Sequence, residues 1–136
     1  MDVIRIEATK KTPEVVFDEA EMKFSMTGRC IPSNAATFFE PLIALINSIN
    51  VQENSKLTCE FKLEYINSSS SKWLIGVVKD LNEKHKTGST VILNWYYEDD
   101  DSFDFGEVVE EVAEFEVIRI ESDDFDEDFD AADYLV

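Results

Sequence analysis

The chain is poor in the residues from which small catalytic and redox sites are built. Its 136 residues include one His, two Cys, three Pro and four Gly. None of the glycines forms a Gly-rich loop, which excludes the phosphate cradles of nucleotide enzymes, whose backbone amides must stay uncovered. The single histidine, His85, excludes a convincing Ser-His-Asp set. It falls in Lys84-His85-Lys86 at the end of a helical pattern, ahead of Thr87-Gly88, so its expected role is structural and solvated. Cys30 and Cys59 show no paired metal-ligand spacing, and a disulfide cannot be argued from two cysteines alone. No apolar run is long enough to span a bilayer, and no basic-then-apolar leader opens the chain. The expectation is a soluble, reduced, cytoplasmic protein. Basic residues are scarce in one place above all. Residues 1–98 hold 13 acids and 11 bases, whereas residues 99–136 hold 17 acids and only Arg119. Nearly all of the net charge of −18 therefore sits in the last quarter. Such a field repels nucleic acid and anionic membrane surfaces, and both are excluded as primary partners.

What is present is periodic. Residues 57–65 alternate, with Leu57, Cys59, Phe61, Leu63 and Tyr65 on one face and Thr58, Glu60, Lys62 and Glu64 on the other. That period of two predicts a half-buried strand, with Cys59 as a small core residue. Trp73, Leu74, Val77, Val78 and Leu81 then fall at helical spacing, predicting a helix from about Ser70. Upstream, residues 3–7 read as a strand, and residues 14–18 and 22–28 as a hairpin turning at Glu19-Ala20. Ser33 or Asn34 caps a first helix, in which Pro41 predicts a kink or a late start. Downstream come a strand over residues 90–97, an acidic turn at Glu98-Asp99-Asp100-Asp101, a short helix from Phe105 to Val112 and a last strand over residues 115–120. The expected fold class is α/β: a mixed sheet with an N-terminal hairpin and helices packed mainly on one face. Residues 1–122 form one domain. Residues 123–136, with seven acids and no base, are expected to be a disordered acidic tail.

Two stretches invite chemistry. In the tail, Asp124, Asp126 and Asp128 match the first three ligand positions of an EF-hand loop. Phe129 stands where that loop needs glycine and Leu135 where it needs a bidentate Glu, so a dedicated calcium site is rejected. No metal or cofactor is expected. The other stretch is Asn67-Ser68-Ser69-Ser70-Ser71-Lys72, where a strand hands over to a helix. Hydroxyls at a helix N-terminus cap free backbone N–H groups, which is their commoner use. They also carry phosphate there, where the dipole and the free N–H groups favour negative charge.

Four stretches, residues 6–15, 28–32, 61–72 and 91–100, resemble the SiaC-like biofilm-regulation phosphoproteins, a family related in fold to STAS-type anti-sigma-factor antagonists. The resemblance runs over about residues 4–121 and stops before the tail. It implies a STAS-like, non-enzymatic switch. A Ser/Thr kinase of histidine-kinase-like ATPase fold would phosphorylate it, and a PP2C-like phosphatase would reset it. Unphosphorylated, it would bind an effector, by family expectation a diguanylate cyclase that controls cyclic-di-GMP and biofilm formation. The family's phosphoacceptor follows Asn in an Asn-Thr-Ser-Ser-Ser-Lys motif, which maps to Ser68 here, with Ser69 as the competitor. Asn67, Ser68, Ser69, Ser70 and Lys72 are then the expected partner-binding residues. A second reading is a constitutive acidic adaptor that docks basic partners through the tail and residues 98–101. A third, an enzyme built on carboxylates, lacks any paired acids or cofactor motif.

Overall fold

The alternating stretches are strands, and the stretches at helical spacing are helices. The structure is a computed structural model that describes residues 3–51, 55–86 and 89–122. Its elements in order are β1 (Val3–Ile6), β2 (Glu14–Asp18), β3 (Lys23–Arg29), α1 (Ala35–Ser48), β4 (Lys56–Glu64), α2 (Ser68–Lys86), β5 (Thr90–Tyr97), α3 (Asp100–Val112) and β6 (Glu116–Glu121). The strands form one six-stranded sheet in sequence order. β1, β2 and β3 pair antiparallel, and β3 through β6 pair parallel. Each parallel step needs a crossover, and each of the three helices supplies one. Steps in one direction with a shared hand put all three helices on one face.

The core lies between that face and the helices. Phe24, Met26, Leu57, Cys59, Phe61, Leu63, Val91, Leu93 and Trp95 point into it from β3, β4 and β5. Phe39, Leu42 and Ile46 of α1 meet them, with Leu74, Val77, Val78 and Leu81 of α2. Phe24 and Trp95 flank Phe61, with ring centroids 6.0 and 6.4 Å away. Trp73 lies flat against Phe39 at 5.9 Å, joining α2 to α1. The opposite face of the sheet carries rows such as Ser25, Glu60 and Asn94, or Thr27, Lys62 and Tyr96, all half-buried.

Local chemistry sets the helix ends. Asn34, not Ser33, caps α1, accepting from Thr37 N at 3.3 Å. α1 begins at Ala35 and continues through Pro41, so no late start occurs. Pro41 sits on the exposed side, away from the core. At the far end of α2, Lys84 donates to the carbonyls of Asn47 and Ile49, at 3.2 and 2.7 Å, tying the C-termini of two helices together. His85 is structural but not simply solvated. Its Nδ1 accepts from Val91 N at 3.2 Å, and its ring leans on Phe115.

The acidic turn is largely helix. Asp99 caps α3, accepting from Ser102 N at 2.8 Å, and Asp100 and Asp101 occupy its first turn. Carboxylates there are favoured by the helix dipole. α3 therefore starts five residues before Phe105, at Asp100. Gly106 lets it approach the sheet, since a Cβ there would lie 2.8 Å from Trp95 Cδ1. Among the described residues no helix is long and apolar enough to cross a membrane. The EF-hand-like acids and the expected disorder of residues 123–136 lie outside the described residues.

Candidate functional site at the start of α2

The site is the junction between β4 and α2. Alternation along β4 holds through Leu63 and then fails. Glu64, read as outward, is buried at 7% exposure, and Tyr65, read as inward, is 59% exposed. The reason is a reversal of the backbone. Tyr65 takes a φ of 53°, in the left-handed region, so the chain turns before its side chain reaches the core. Neighbouring strands hold the turn. Cys30 N donates to Glu64 O at 2.9 Å, and Asn67 N donates to Cys30 O at 3.1 Å. The Arg29 guanidinium lies over the Tyr65 ring, 5.0 Å from its centroid.

Asn67 anchors the first turn of α2. Its side-chain amide donates to Pro32 O at 3.1 Å, and its Oδ1 accepts from Ser70 N at 3.0 Å. Asn67 is thus the helix cap, a role that the serine run alone had pointed towards its hydroxyls. The sequence held the signal, since Asn is among the preferred caps and directly precedes the run. α2 then begins at Ser68, two residues before the expected start.

The serines do not share one environment. Ser68 and Ser69 are exposed, Ser71 is half-buried and Ser70 is fully buried. The Ser69 hydroxyl leans back to Asn67 Oδ1 at 3.4 Å, and that of Ser71 donates to Ser68 O at 2.7 Å. Ser70 packs beside the Cys30 thiol. Burial pushes that thiol up to about 11, and the Ser70 hydroxyl opposes part of the rise. Burial alone pushes Cys59 up to about 12. Both thiols are therefore neutral near pH 7 and poor nucleophiles. Of the predicted partner-binding residues, the structure brings Ser68, Ser69 and Lys72 to the surface, with Asn67 half-buried beneath them. Ser70 is fully buried and cannot touch a partner directly.

Two charged flanks border the junction. On one side Ile31 N donates to Lys11 O at 2.8 Å, and Lys11 Nζ reaches Ser33 Oγ at 3.3 Å. This brings the basic loop after β1 close to Pro32 and Asn67. On the other side is a cleft of about 530 Å³, between the β4–α2 and β5–α3 turns. Glu64, Tyr65, Ile66, Glu98, Asp99 and Asp101 are among its walls. Sequence reading missed this cleft because its acids come from two turns about 35 residues apart. Among the described residues no group of three or more His, Cys, Asp or Glu could hold a metal ion.

Known proteins share this framework. The family model described as SiaC family regulatory phosphoprotein matches residues 6–123. An uncharacterised protein of Pseudomonas aeruginosa (strain UCBPP-PA14) is 29% identical over 98 residues, covering 72% of this chain and 78% of its own. The structure of SiaC of Pseudomonas aeruginosa superposes with a TM-score of 0.80 at 25% identity, over 90% of this chain and 100% of that one. A crystal structure of diguanylate cyclase SiaD in complex with its activator SiaC, from the same organism, contains a similar chain. It matches with a TM-score of 0.78 at 24% identity, over 88% of this chain and 99% of that one.

Proposed function

The chain belongs to the SiaC family of regulatory phosphoproteins, and from that premise we propose that Ser68 is its reversible phosphorylation site and that α2 opens an effector-binding surface. One observation carries the assignment. Capping of α2 is done by Asn67, so the exposed Ser68 hydroxyl is not needed to hold the helix. Ser69 is exposed too, but its hydroxyl leans on the cap, and Ser70 is out of reach of a kinase.

The first helical turn suits a phosphate. It adds about −1.5 to −2 of charge and three acceptor oxygens. Free N–H groups and the dipole partly neutralise it, and Lys72, four residues on, lies on the same side of the helix. The domain stays folded after modification. A partner seated on Ser68 does not tolerate the same charge without a new cation, because an unpaired buried charge costs several kcal/mol. Release then follows from local repulsion and desolvation, with no rearrangement of the sheet. The reading takes residues 1–122 as the switch unit and the cytoplasm as its compartment. A Ser/Thr kinase of histidine-kinase-like fold and a PP2C-like phosphatase set its state. The effector is a diguanylate cyclase, as SiaD is for SiaC of Pseudomonas aeruginosa.

Incubation with ATP and the cognate kinase, with peptide mass spectrometry of the product, tests the site. One phosphate on Ser68, abolished in Ser68→Ala, is the expected result. Phosphate found only on Ser70 or Ser71 would remove the basis for the assignment.

A further inference from the structure

Resting on the effector surface inferred above, we propose that the outward stripe of α2 beyond Ser68 seats an acidic segment of the effector, which crosses Gly76 between Lys72 and Lys79. Ser68, Lys72, Gly76 and Lys79 follow one another at steps of four, four and three residues, so they share one side of the helix. That side is turned away from the core, because Leu74, Val77, Val78 and Leu81 bury on the other. Ser68, Lys72 and Lys79 are all exposed.

Gly76 is the residue that the domain alone does not account for. Glycine is among the poorest helix formers, and α2 carries it at mid-length. A Cβ at Gly76 would meet no heavy atom within 4 Å, whereas one at Gly106 would lie 2.8 Å from Trp95 Cδ1. Gly106 makes room for the sheet of its own chain. Gly76 leaves bare backbone facing outward, where a second backbone can come close.

The two lysines set the chemistry of what comes there. Among the described residues neither Lys72 nor Lys79 pairs with a carboxylate, in a chain of 30 acids and 12 bases. The basic residues further along α2 are engaged instead. Lys84 donates to the carbonyl of Ile49, and Lys86 lies 3.2 Å from Glu83 and 3.7 Å from Glu114. α1, packed beside α2, contributes one charged residue, Glu40. Lys72 and Lys79 are about 10 Å apart along the axis, a spacing that two acids seven residues apart on a partner helix reproduce. Ser68 lies one turn before Lys72. A phosphate there draws Lys72 to itself and sets its own charge against the incoming carboxylates. Release then has a second cause beside desolvation, the loss of a cation from the seat.

Titration of the full chain with the diguanylate cyclase proposed as its effector, at low and at moderate salt, tests the seat. Gly76→Gln should weaken binding about tenfold or more. Its urea midpoint should equal or exceed that of the parent, since glutamine is the better helix former. Lys72→Gln and Lys79→Gln should each weaken binding and flatten its salt dependence. Parental affinity in Gly76→Gln and Lys79→Gln would overturn the seat, and the switch would stand if phosphate still weakened binding of the parent. Equal binding by phosphorylated and unphosphorylated parent, with Gly76→Gln weakened, would remove the switch and keep the seat. Tighter binding by the lysine variants would mean a basic occupant and would overturn the proposal. Self-association of the parent that Gly76→Gln abolishes would overturn it too, giving the stripe to a second copy. No binding by the unphosphorylated parent would overturn both readings.

Discussion

Phe61 is 1% exposed and wedged between Phe24 and Trp95, so its truncation to Ala should cost about 3–5 kcal/mol in urea unfolding. Its neighbours along β4 test the register. Lys62→Ala, on the open face, should stay within about 0.5 kcal/mol of the parent. Glu64→Ala should cost more, about 1–3 kcal/mol, because Glu64 is buried where simple alternation places it in water. Similar costs for Lys62→Ala and Glu64→Ala would contradict the reversal at Tyr65. The thiols give a pH dependence with a definite sign. Burial raises Cys30 from 9.0 to about 11 and Cys59 from 9.0 to about 12, so the folded chain holds both protons where the unfolded chain releases them. Their contribution is full below pH 9 and is lost as pH rises from there through 11 and 12. Stability should fall across that window, and a Cys30→Ala, Cys59→Ala variant should show a flatter fall.

At the scale of the element, α1 offers a substitution that should stabilise. Pro41 sits in the helix interior on its exposed side, where it withholds an N–H from the preceding turn. Pro41→Ala should raise the unfolding free energy by about 1–3 kcal/mol, read from the urea midpoint. α1 forms despite Pro41 because Phe39, Leu42 and Ile46 bury fully against the sheet. Local propensity argued for an interruption, and tertiary packing overrode it. The same contest explains what was legible in the sequence. The strands of the parallel sheet could be read because their inward faces are continuous apolar alternations, as in Val91, Leu93 and Trp95. The start of α3 was missed although its signal was present, since acids around a helix N-terminus are ordinary capping chemistry. Tyr65 was not legible at all. Nothing in an aromatic side chain announces a positive φ, and the turn is held by the Cys30 backbone, which donates to Glu64 and accepts from Asn67, and by the Asn67 side chain reaching Pro32. Asn67→Ala should therefore cost about 1 kcal/mol or more, through loss of the cap together with that tie.

For the whole molecule, the division of charge is the property with most consequence. The fold up to residue 98 is nearly neutral, and the acids gather in α3, β6 and residues 123–136. Truncation after Ser122 should shift the thermal midpoint by only a few degrees, because residues 123–136 carry no apolar period and the core is already closed by three helices. A large drop would mean that Phe125 or Phe129 packs into the domain. The candidate site was legible in part. Resemblance pointed to Ser68, and the structure supplied what sequence could not, namely the exposure of Ser68 and the burial of Ser70, while the capping by Asn67 was a signal present but unread. Ser68→Ala should keep effector binding while blocking phosphorylation. Ser68→Asp should weaken binding only in part, since one planar carboxylate is a poor copy of a dianion. The most direct test is the affinity of the proposed diguanylate cyclase effector for the phosphorylated and unphosphorylated protein at equal salt. Weakening by tenfold or more, about 1.4 kcal/mol or above, is the predicted result. Equal affinities would contradict the switch.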